Sequence, residues 1–171
     1  MINLKSGAAS PAPNIATERP RDAPLAEALV DRAFGPGRYV KVSERVREFA
    51  AFAPELSFCA WRGERLVGTV RQWRVRVGET PVVFLGPIAV ESSERSAGVG
   101  GLLAAAACEA ARAAGEHAIV LVGDMPFFGP HGFSVEVAAA VELPGPVDRR
   151  RVLGLAFTEE GQRLAGMVRP L

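Results

Sequence analysis

The sequence predicts a mixed α/β domain in which a central sheet carries helices on both of its faces. Three features favour this class: a hairpin-like pair of apolar runs at 56–61 and 65–77, a run at 82–90 that is apolar on both faces, and an alanine-rich helix at 98–114 that follows a glycine turn. With 171 residues, 49% of them hydrophobic, the chain can bury one sizeable core. We therefore expect a single domain over 14–171.

Composition and charge exclude several classes of protein. The formal net charge is +1, from 20 basic and 19 acidic side chains, so no overall field attracts nucleic acid. No apolar run approaches the roughly 18 residues of a membrane span, and the N-terminal segment has no apolar stretch of signal-peptide length. The two cysteines, Cys59 and Cys108, have neither metal-ligand nor disulfide spacing, which is typical of a reducing compartment. We expect a cytoplasmic protein with no metal ion, no nucleic acid and no membrane partner, and with a flexible tail at 1–13.

Two helices are expected before the sheet begins. Asp22 suits an N-cap and Pro24 the first turn of a helix that Gly35-Pro36-Gly37 ends. The apolar residues at helical spacing that should face the core are Leu25, Ala28, Leu29 and Ala33. A second helix should run from about Tyr39 to Phe52. Its inward face should consist of Val42, Val46 and Phe49.

The sheet should begin with the hairpin and continue with a central strand. Trp73, Val75 and Val77 alternate with arginines, the period of two expected for a strand with one buried face. The apolar strand Val82–Val90 should lie at the centre of the sheet. Proline has no N–H for a ladder hydrogen bond and glycine weakens a strand interior, so the dipeptide Gly86-Pro87 predicts a bulge in this strand.

A helix and further strands should complete the domain. The helix at 98–114 should bury one stripe and end at Gly115. The predicted stripe consists of Val99, Leu102, Leu103, Ala106 and Ala110. An apolar strand is expected at 117–122, and two more at 134–143 and 149–157.

The turn from Arg95 to Gly101 has the composition of an anion site. Gly98, Gly100 and Gly101 have no Cβ, so backbone N–H groups and the positive end of the helix dipole can approach a pyrophosphate. Arg95 adds a full positive charge. A Gly-x-Gly at a helix start also serves close packing or capping, and this one matches neither a Walker loop nor a dinucleotide fingerprint. By itself the turn leaves both interpretations open.

Several segments in order resemble the GCN5-related N-acetyltransferases, the GNAT family. Leu85-Gly86-Pro87-Ile88-Ala89-Val90 followed by Arg95-x-x-Gly98-x-Gly100 is similar to the cofactor signature of that family. Gly123-Asp124-x-Pro126-Phe127-Phe128-Gly129-x-x-Gly132-Phe133 is similar to a later family segment, in which a short helix carries a tyrosine and ends at a Gly-Phe pair. The resemblance covers about 68–133, and the order of the flanking elements agrees with the family over most of the rest.

The resemblance implies a mostly antiparallel mixed sheet, split between two parallel strands, with the pantetheine arm of acetyl-CoA in the split. It also implies that an amine of a small molecule or peptide attacks the thioester directly, while the Ile88 N–H stabilises the oxyanion. The residues implied in binding acetyl-CoA are Ile88, Ala89, Val90, Arg95, Ser96, Ala97, Gly98, Val99, Gly100 and Gly101.

The sequence departs from the family pattern at three positions. Ser92 and Ser96 stand where proline and glycine are usual, and because both are small we expect binding to persist. Phe128 aligns with the family's tyrosine, the usual proton donor to the departing thiolate, and it has no proton to give. A thiol with a pKa of roughly 8.5 still leaves as the thiolate, and a general acid contributes about 10² to 10⁴ in rate. The alternatives are an N-acetyltransferase without its acid and a weak or inactive acyl-CoA-binding or sensory module.

Three further side chains are candidates for moving a proton. Asp124 follows the strand at which the split should open, where it can accept an amine proton or simply form a turn. Glu91, beside the split strand, is either a general base or an exposed carboxylate. His131 can replace the missing acid or face solvent. The sequence does not identify the acceptor amine, and monomer and homodimer both remain open.

Overall fold

The computed structural model describes residues 10–171, so the first nine residues of the predicted flexible tail lie outside the described part. The last residues of that tail contact the domain. Pro13 is buried, and the Pro11 carbonyl accepts a hydrogen bond from the Arg62 guanidinium.

Thirteen helices and strands make up the described chain. The helices are α1 (Ala23–Phe34), α2 (Val42–Phe49), α3 (Val99–Ala113) and α4 (Met125–Phe128). The strands are β1 (Asn14–Thr17), β2 (Ala51–Phe52), β3 (Phe58–Arg62), β4 (Arg65–Val77), β5 (Thr80–Val90), β6 (Ala118–Val122), β7 (Ala140–Glu142), β8 (Val152–Ala156) and β9 (Ala165–Pro170). Short 3-10 turns connect several of them.

The sheet is mostly antiparallel and is open at its centre. Its main order is β1-β3-β4-β5-β6-β8, with β2 and β9 paired to β4, and β7 paired to β9. The central neighbours β5 and β6 run parallel, and they pair only at Val83 with Ile119 and Phe84 with Val120. This confirms the predicted mixed sheet with a split between two parallel strands, because β5 continues beyond Phe84 without pairing to β6.

A bulge lies at the predicted dipeptide of β5. The register with β4 runs from Gln72 opposite Leu85 to Val70 opposite Ile88, so two residues, Gly86 and Pro87, oppose one residue of β4. The extra residue shifts the side-chain alternation of β5, which is why Leu85 and Ile88 contribute to the same core cluster. The bulge therefore begins where β5 leaves β6.

Helices cover both faces of the sheet, as predicted. On one face, α3 packs over a core that includes Val67 and Leu85. The other face carries α1, whose Leu29 packs with Ala89 of β5, and α2, whose Val46 packs with Phe84.

The two predicted helix stripes are partly wrong. Leu25 of α1 is 50% exposed and Leu102 of α3 is 43% exposed. The residues that α3 buries are Val99, Leu103, Ala104, Ala107, Cys108 and Ala111. The close approach of α3 to β4 explains this face, because a Cβ on Gly68 would lie only 2.8 Å from the Leu103 side chain. Small alanines must then face the sheet, and the bulkier Leu102 turns outward.

Some predicted boundaries also need correction. The second helix ends at Phe49, and Ala51–Phe52 pairs with β4 as a strand instead of extending the helix to Phe52. Only Ala140–Glu142 of the predicted strand 134–143 is a strand, and β8 is likewise shorter than predicted. The short strands β1 and β9 are not predicted, because neither has an alternating apolar pattern long enough to indicate a strand.

Candidate active site

A cleft of about 720 Å³ opens where β5 and β6 diverge. The bulged half of β5 forms one wall, and Val122 to Asp124 and the short helix α4 form the other. The start of α3 lies at one end of the cleft, while α2 and the turn before it lie at another. The separation of two parallel strands thus gives a ligand access to the middle of the sheet.

The backbone of β5 presents unpaired hydrogen-bonding groups to this cleft. The Glu91 N–H donates to the Val67 carbonyl at 2.9 Å, so Glu91 and Val67 form a hydrogen-bonded pair of the antiparallel ladder. Such pairs alternate along a ladder, so Ala89 faces β4 and the N–H groups of Ile88 and Val90 point away from it. These two N–H groups face the side where β6 no longer pairs.

The start of α3 presents a second set of donors. The first helical bond runs from Leu102 N–H to the Gly98 carbonyl, which leaves the N–H groups of Val99, Gly100 and Gly101 without helical partners. Gly98 has a φ of +75° at the N-cap, a conformation that favours glycine. A Cβ on Gly98 or Gly101 would meet nothing within 4 Å, so the space before them is open. This cradle fits a pyrophosphate.

The other predicted cofactor residues differ in how they reach the cleft. Arg95 is exposed and lines the cleft near the start of α3. Ser96 and Ala97 are exposed in the preceding 3-10 turn. The side chains of Ala89 and Val99 are buried in the core. Val99 can therefore offer only its backbone N–H. The predicted role of Ala89 is corrected, because its backbone groups face β4 and not the cleft.

Phe128 lines the cleft but is firmly packed. The Phe128 ring packs against Gly123, where an added Cβ would overlap the ring. The ring makes edge contacts with Phe127 at a centroid distance of 4.8 Å and with Phe133 at 5.5 Å. Phe128 is 9% exposed. The residue that the sequence resemblance equates with the family's proton donor is thus an apolar ring at the wall of the cleft.

Asp124 is the predicted proton acceptor that the structure places in the cleft wall. It follows β6 directly, and its side chain is 72% exposed. The carboxylate accepts a hydrogen bond from Arg151 Nε at 3.1 Å and makes no side-chain cap to α4. Asp124 is therefore free to meet a ligand on its solvent side.

Glu91 and His131 lie outside the residues that line the cleft. The Glu91 carboxylate accepts a hydrogen bond from Arg32 of α1 at 2.6 Å. His131 ends the 3-10 turn that follows α4, and its ring centroid is 5.8 Å from that of Phe127. The structure brings neither side chain together with Asp124 and Phe128.

Sequence reasoning missed a group of buried charges at the α2 end of the cleft. Arg38, Glu44 and Arg47 line both the main cleft and an adjoining pocket of about 100 Å³, whose wall also includes Arg71 and Pro87. Burial lowers the pKa of the Arg47 guanidinium, and Glu44 beside it opposes that effect. The only signal in the sequence is that charged residues stand beside the inward Val42 and Val46, a pattern equally typical of a solvated helix face.

Within residues 10–171, no group of three His, Cys, Asp or Glu side chains is placed to bind a metal ion. No helix in this part of the chain is long and apolar enough to cross a membrane.

The fold is shared with several solved structures. The GNAT family N-acetyltransferase YhbS from Escherichia coli, in complex with CoA, is 23% identical, with 92% of this chain and 88% of that chain covered and a TM-score of 0.75. A GNAT family acetyltransferase from Brucella melitensis, in complex with acetyl-CoA, is 24% identical, covering 92% of this chain and 94% of that one, with a TM-score of 0.68. Naa50 from Arabidopsis thaliana, in complex with the bisubstrate analogue CoA-Ac-MVNAL, is 14% identical over 86% of this chain and 100% of that one, with a TM-score of 0.58.

No curated protein sequence matches this chain significantly. The family model for the acetyltransferase (GNAT) family does match it, over residues 25–133, which is more than half of its length. The matched range includes the bulge in β5, the glycine turn and α4. The chain belongs to the acetyltransferase (GNAT) family.

Proposed function

We propose that the protein is an acetyl-CoA-dependent N-acetyltransferase that acts on a primary amine of a small molecule or peptide. One observation carries this proposal: the outward-facing N–H groups of Ile88 and Val90 and the open glycine cradle at the start of α3 line a single cleft. The first suits a thioester arm and the second a pyrophosphate. The structural neighbours in complex with CoA and acetyl-CoA support the same assignment.

The residues of the cleft account for the steps of direct transfer. The acceptor nitrogen attacks the thioester carbon and forms the new amide bond, while the carbon–sulfur bond breaks and the sulfur leaves as a thiolate. The Ile88 N–H donates to the oxygen on which negative charge develops. Asp124 is our candidate for the group that receives the amine proton, because its carboxylate is open to the cleft. The thiolate takes its proton from water, since Phe128 has none to donate.

The experiment is release of CoA thiol from acetyl-CoA over a panel of amines, with amide formation followed by mass spectrometry. We expect release that depends on both the protein and the amine. Binding of acetyl-CoA without turnover of any amine would instead support the acyl-CoA-binding or sensory module, which the apolar ring of Phe128 favours. Failure to bind acetyl-CoA would contradict both.

A further inference from the structure

Three arginines with almost completely buried side chains converge near Pro87: Arg38, Arg47 and Arg71, whose side chains are 9%, 10% and 5% exposed. Each guanidinium nitrogen of Arg71 has a carboxylate partner. Its Nη2 and Nε donate to the two Glu18 oxygens at 2.6 and 3.0 Å, and its Nη1 donates to Glu27. This pairing makes Arg71 part of the scaffold.

Arg47 differs from Arg71 because most of its donors are free. Among the described residues its one hydrogen-bond partner is Glu44, which accepts from its Nη2. Its Nε and Nη1 groups have no hydrogen-bond partner within residues 10–171, and the side chain lines both the main cleft and the adjoining pocket. A guanidinium held in place by burial, with free donors at the wall of a cleft, can bind an acceptor group of a ligand.

Glu44 is shared between two guanidinium groups. One oxygen of Glu44, Oε1, accepts from both Arg47 and Arg38, the latter at 2.8 Å. Arg38 has a further unmet donor, since its buried Nε finds no partner in the described chain. Arg38 pairs in addition with Asp31 at 2.8 Å and Glu27 at 3.4 Å. Among the described residues, Arg47 by contrast has no carboxylate partner other than Glu44. The second oxygen of Glu44 accepts no hydrogen bond from the described residues, which leaves it able to receive an ammonium or amine N–H.

This charged end of the cleft lies next to the proposed reacting centre. Pro87 contributes to the wall of the adjoining pocket, and the following residue, Ile88, points its N–H into the split. An anion held at Arg47 would therefore share the cleft with an amine positioned for attack.

We propose that the acceptor is a free amino acid, whose carboxylate binds Arg47 and whose amino group lies beside Glu44. This inference rests on the proposed function and specifies its substrate class. A planar carboxylate matches the paired donors of a guanidinium, and it carries only one negative charge beside Glu44, where a phosphate would carry about two. Polycationic amines and protein lysines lack the required anion, and a peptide N-terminus has its carboxylate replaced by an amide.

The test uses matched acceptors that differ only in the carboxylate. The purified protein with saturating acetyl-CoA is assayed against the standard L-amino acids, including leucine and phenylalanine, because exposed apolar Phe34 and Val40 line the same cleft. The best substrate is then compared with its amide and with its decarboxylated amine. We expect kcat/KM to fall on the order of 100-fold for both, about 2.7 kcal/mol, which is the range for loss of a hydrogen bond between charged groups.

Variants of Arg47 test whether this residue causes the preference for the acid over its amide. Arg47→Gln should raise KM for the amino acid and bring the acid and its amide to similar kcat/KM, while KM for acetyl-CoA stays unchanged. Arg47→Lys should recover part of the preference. The matched control is Arg45→Gln, since Arg45 lies on the exposed face of the same helix and outside the cleft. If Arg47→Gln does not fold, the acid, amide and amine series on the wild type still decides the question.

Two results would overturn the inference while leaving the proposed function intact. One is turnover of the amide or the decarboxylated amine that equals or exceeds that of the acid. The other is a preference for the acid that survives in folded Arg47→Gln. If no amine reacts, the binding of amino acids to acetyl-CoA-saturated protein is measured by calorimetry. Absence of binding that depends on Arg47 overturns the inference. If the protein does not bind acetyl-CoA, the proposed function fails and the inference fails with it.

Discussion

Trp73 of β4 donates a hydrogen bond of 2.7 Å from its indole Nε1 to the carbonyl of Gly86 in the bulge of β5. This bond fixes the position of Gly86, the first residue of the bulge, which lies two positions before Ile88. The bulge determines which way the Ile88 N–H points, so the indole acts on the proposed oxyanion donor through the backbone.

Removal of that bond should affect turnover more than acetyl-CoA affinity. Trp73→Phe keeps an aromatic ring but deletes the donor, which costs about 0.5–1.5 kcal/mol of stability. We expect kcat to fall by up to about tenfold, the equivalent of 1.4 kcal/mol, with the Kd for acetyl-CoA within a few-fold of wild type. The control is Trp61→Phe, since Trp61 packs near α1 and outside the cleft. Equal kcat values in the two variants would show that the indole bond has no catalytic role.

Phe128→Tyr should raise kcat if the ring edge faces the sulfur of the bound thioester. The added hydroxyl would supply the proton donor that this chain lacks, and a general acid contributes about 10² to 10⁴ in rate when proton transfer is limiting. A rise of tenfold or more with unchanged acetyl-CoA affinity supports this geometry. Because Phe128 packs on Gly123 and Phe133, a loss of folding by circular dichroism would instead show that the hydroxyl points into the core.

Asp124→Asn should lower kcat or raise the acceptor KM and leave acetyl-CoA affinity unchanged. The substitution keeps the shape of the side chain but removes the base. Arg151→Gln is the complementary variant, because it removes the partner at 3.1 Å and keeps the carboxylate, so it should retain turnover. Steady-state kinetics between pH 6 and 9 distinguishes the roles. If Asp124→Asn matches wild type throughout that range, the residue is only a turn former.

The two cysteines should be unreactive in the folded protein. Burial raises the pKa of the Cys59 thiol to about 12 and that of Cys108 to about 11. The reactive thiolate then amounts to only about 10⁻⁴ and 10⁻³ of each thiol at pH 8. Titration with a thiol-specific disulfide reagent should detect almost no thiol in the native state and both in denaturant. Rapid reaction of either native cysteine would contradict the burial described above.

The sequence predicts well those features that local backbone chemistry decides. Gly86-Pro87 cannot continue a regular ladder, and the glycines around Gly98 favour a turn into a helix whatever surrounds them. The buried face of α3 is a different case. It depends on how closely the helix approaches Gly68 of β4, a contact between residues about 30 positions apart that no helical period encodes.

The charged end of the cleft could not be predicted for a related reason. Arg38, Glu44 and Arg47 have the spacing of ordinary solvated residues, and Arg71 is one of several arginines in β4. Only the fold shows that these side chains meet behind Pro87 and are nearly buried. The same limit applies to Glu91, whose neighbour Arg32 comes from α1 and draws it into an ion pair away from the cleft.

We propose that the start of α3 holds the pyrophosphate of acetyl-CoA, and Gly101→Val is the variant best suited to test this. Gly98 is unsuitable because its φ of +75° would strain any side chain, and a Cβ at Gly100 would press on the Phe127 ring at 3.4 Å. Gly101 has helical geometry and open space before it, so valine should fold normally yet occupy the site of the ligand. Ala105→Val, one turn further along on an exposed position, is the control.

Isothermal titration calorimetry with acetyl-CoA measures the outcome. We expect wild type and Ala105→Val to bind one acetyl-CoA per chain, and folded Gly101→Val to bind it on the order of 100-fold more weakly, a difference of about 2.7 kcal/mol. Wild-type affinity in a folded Gly101→Val variant would show that the pyrophosphate does not bind at the start of α3, and no binding by the wild type would show that the cleft does not hold acetyl-CoA.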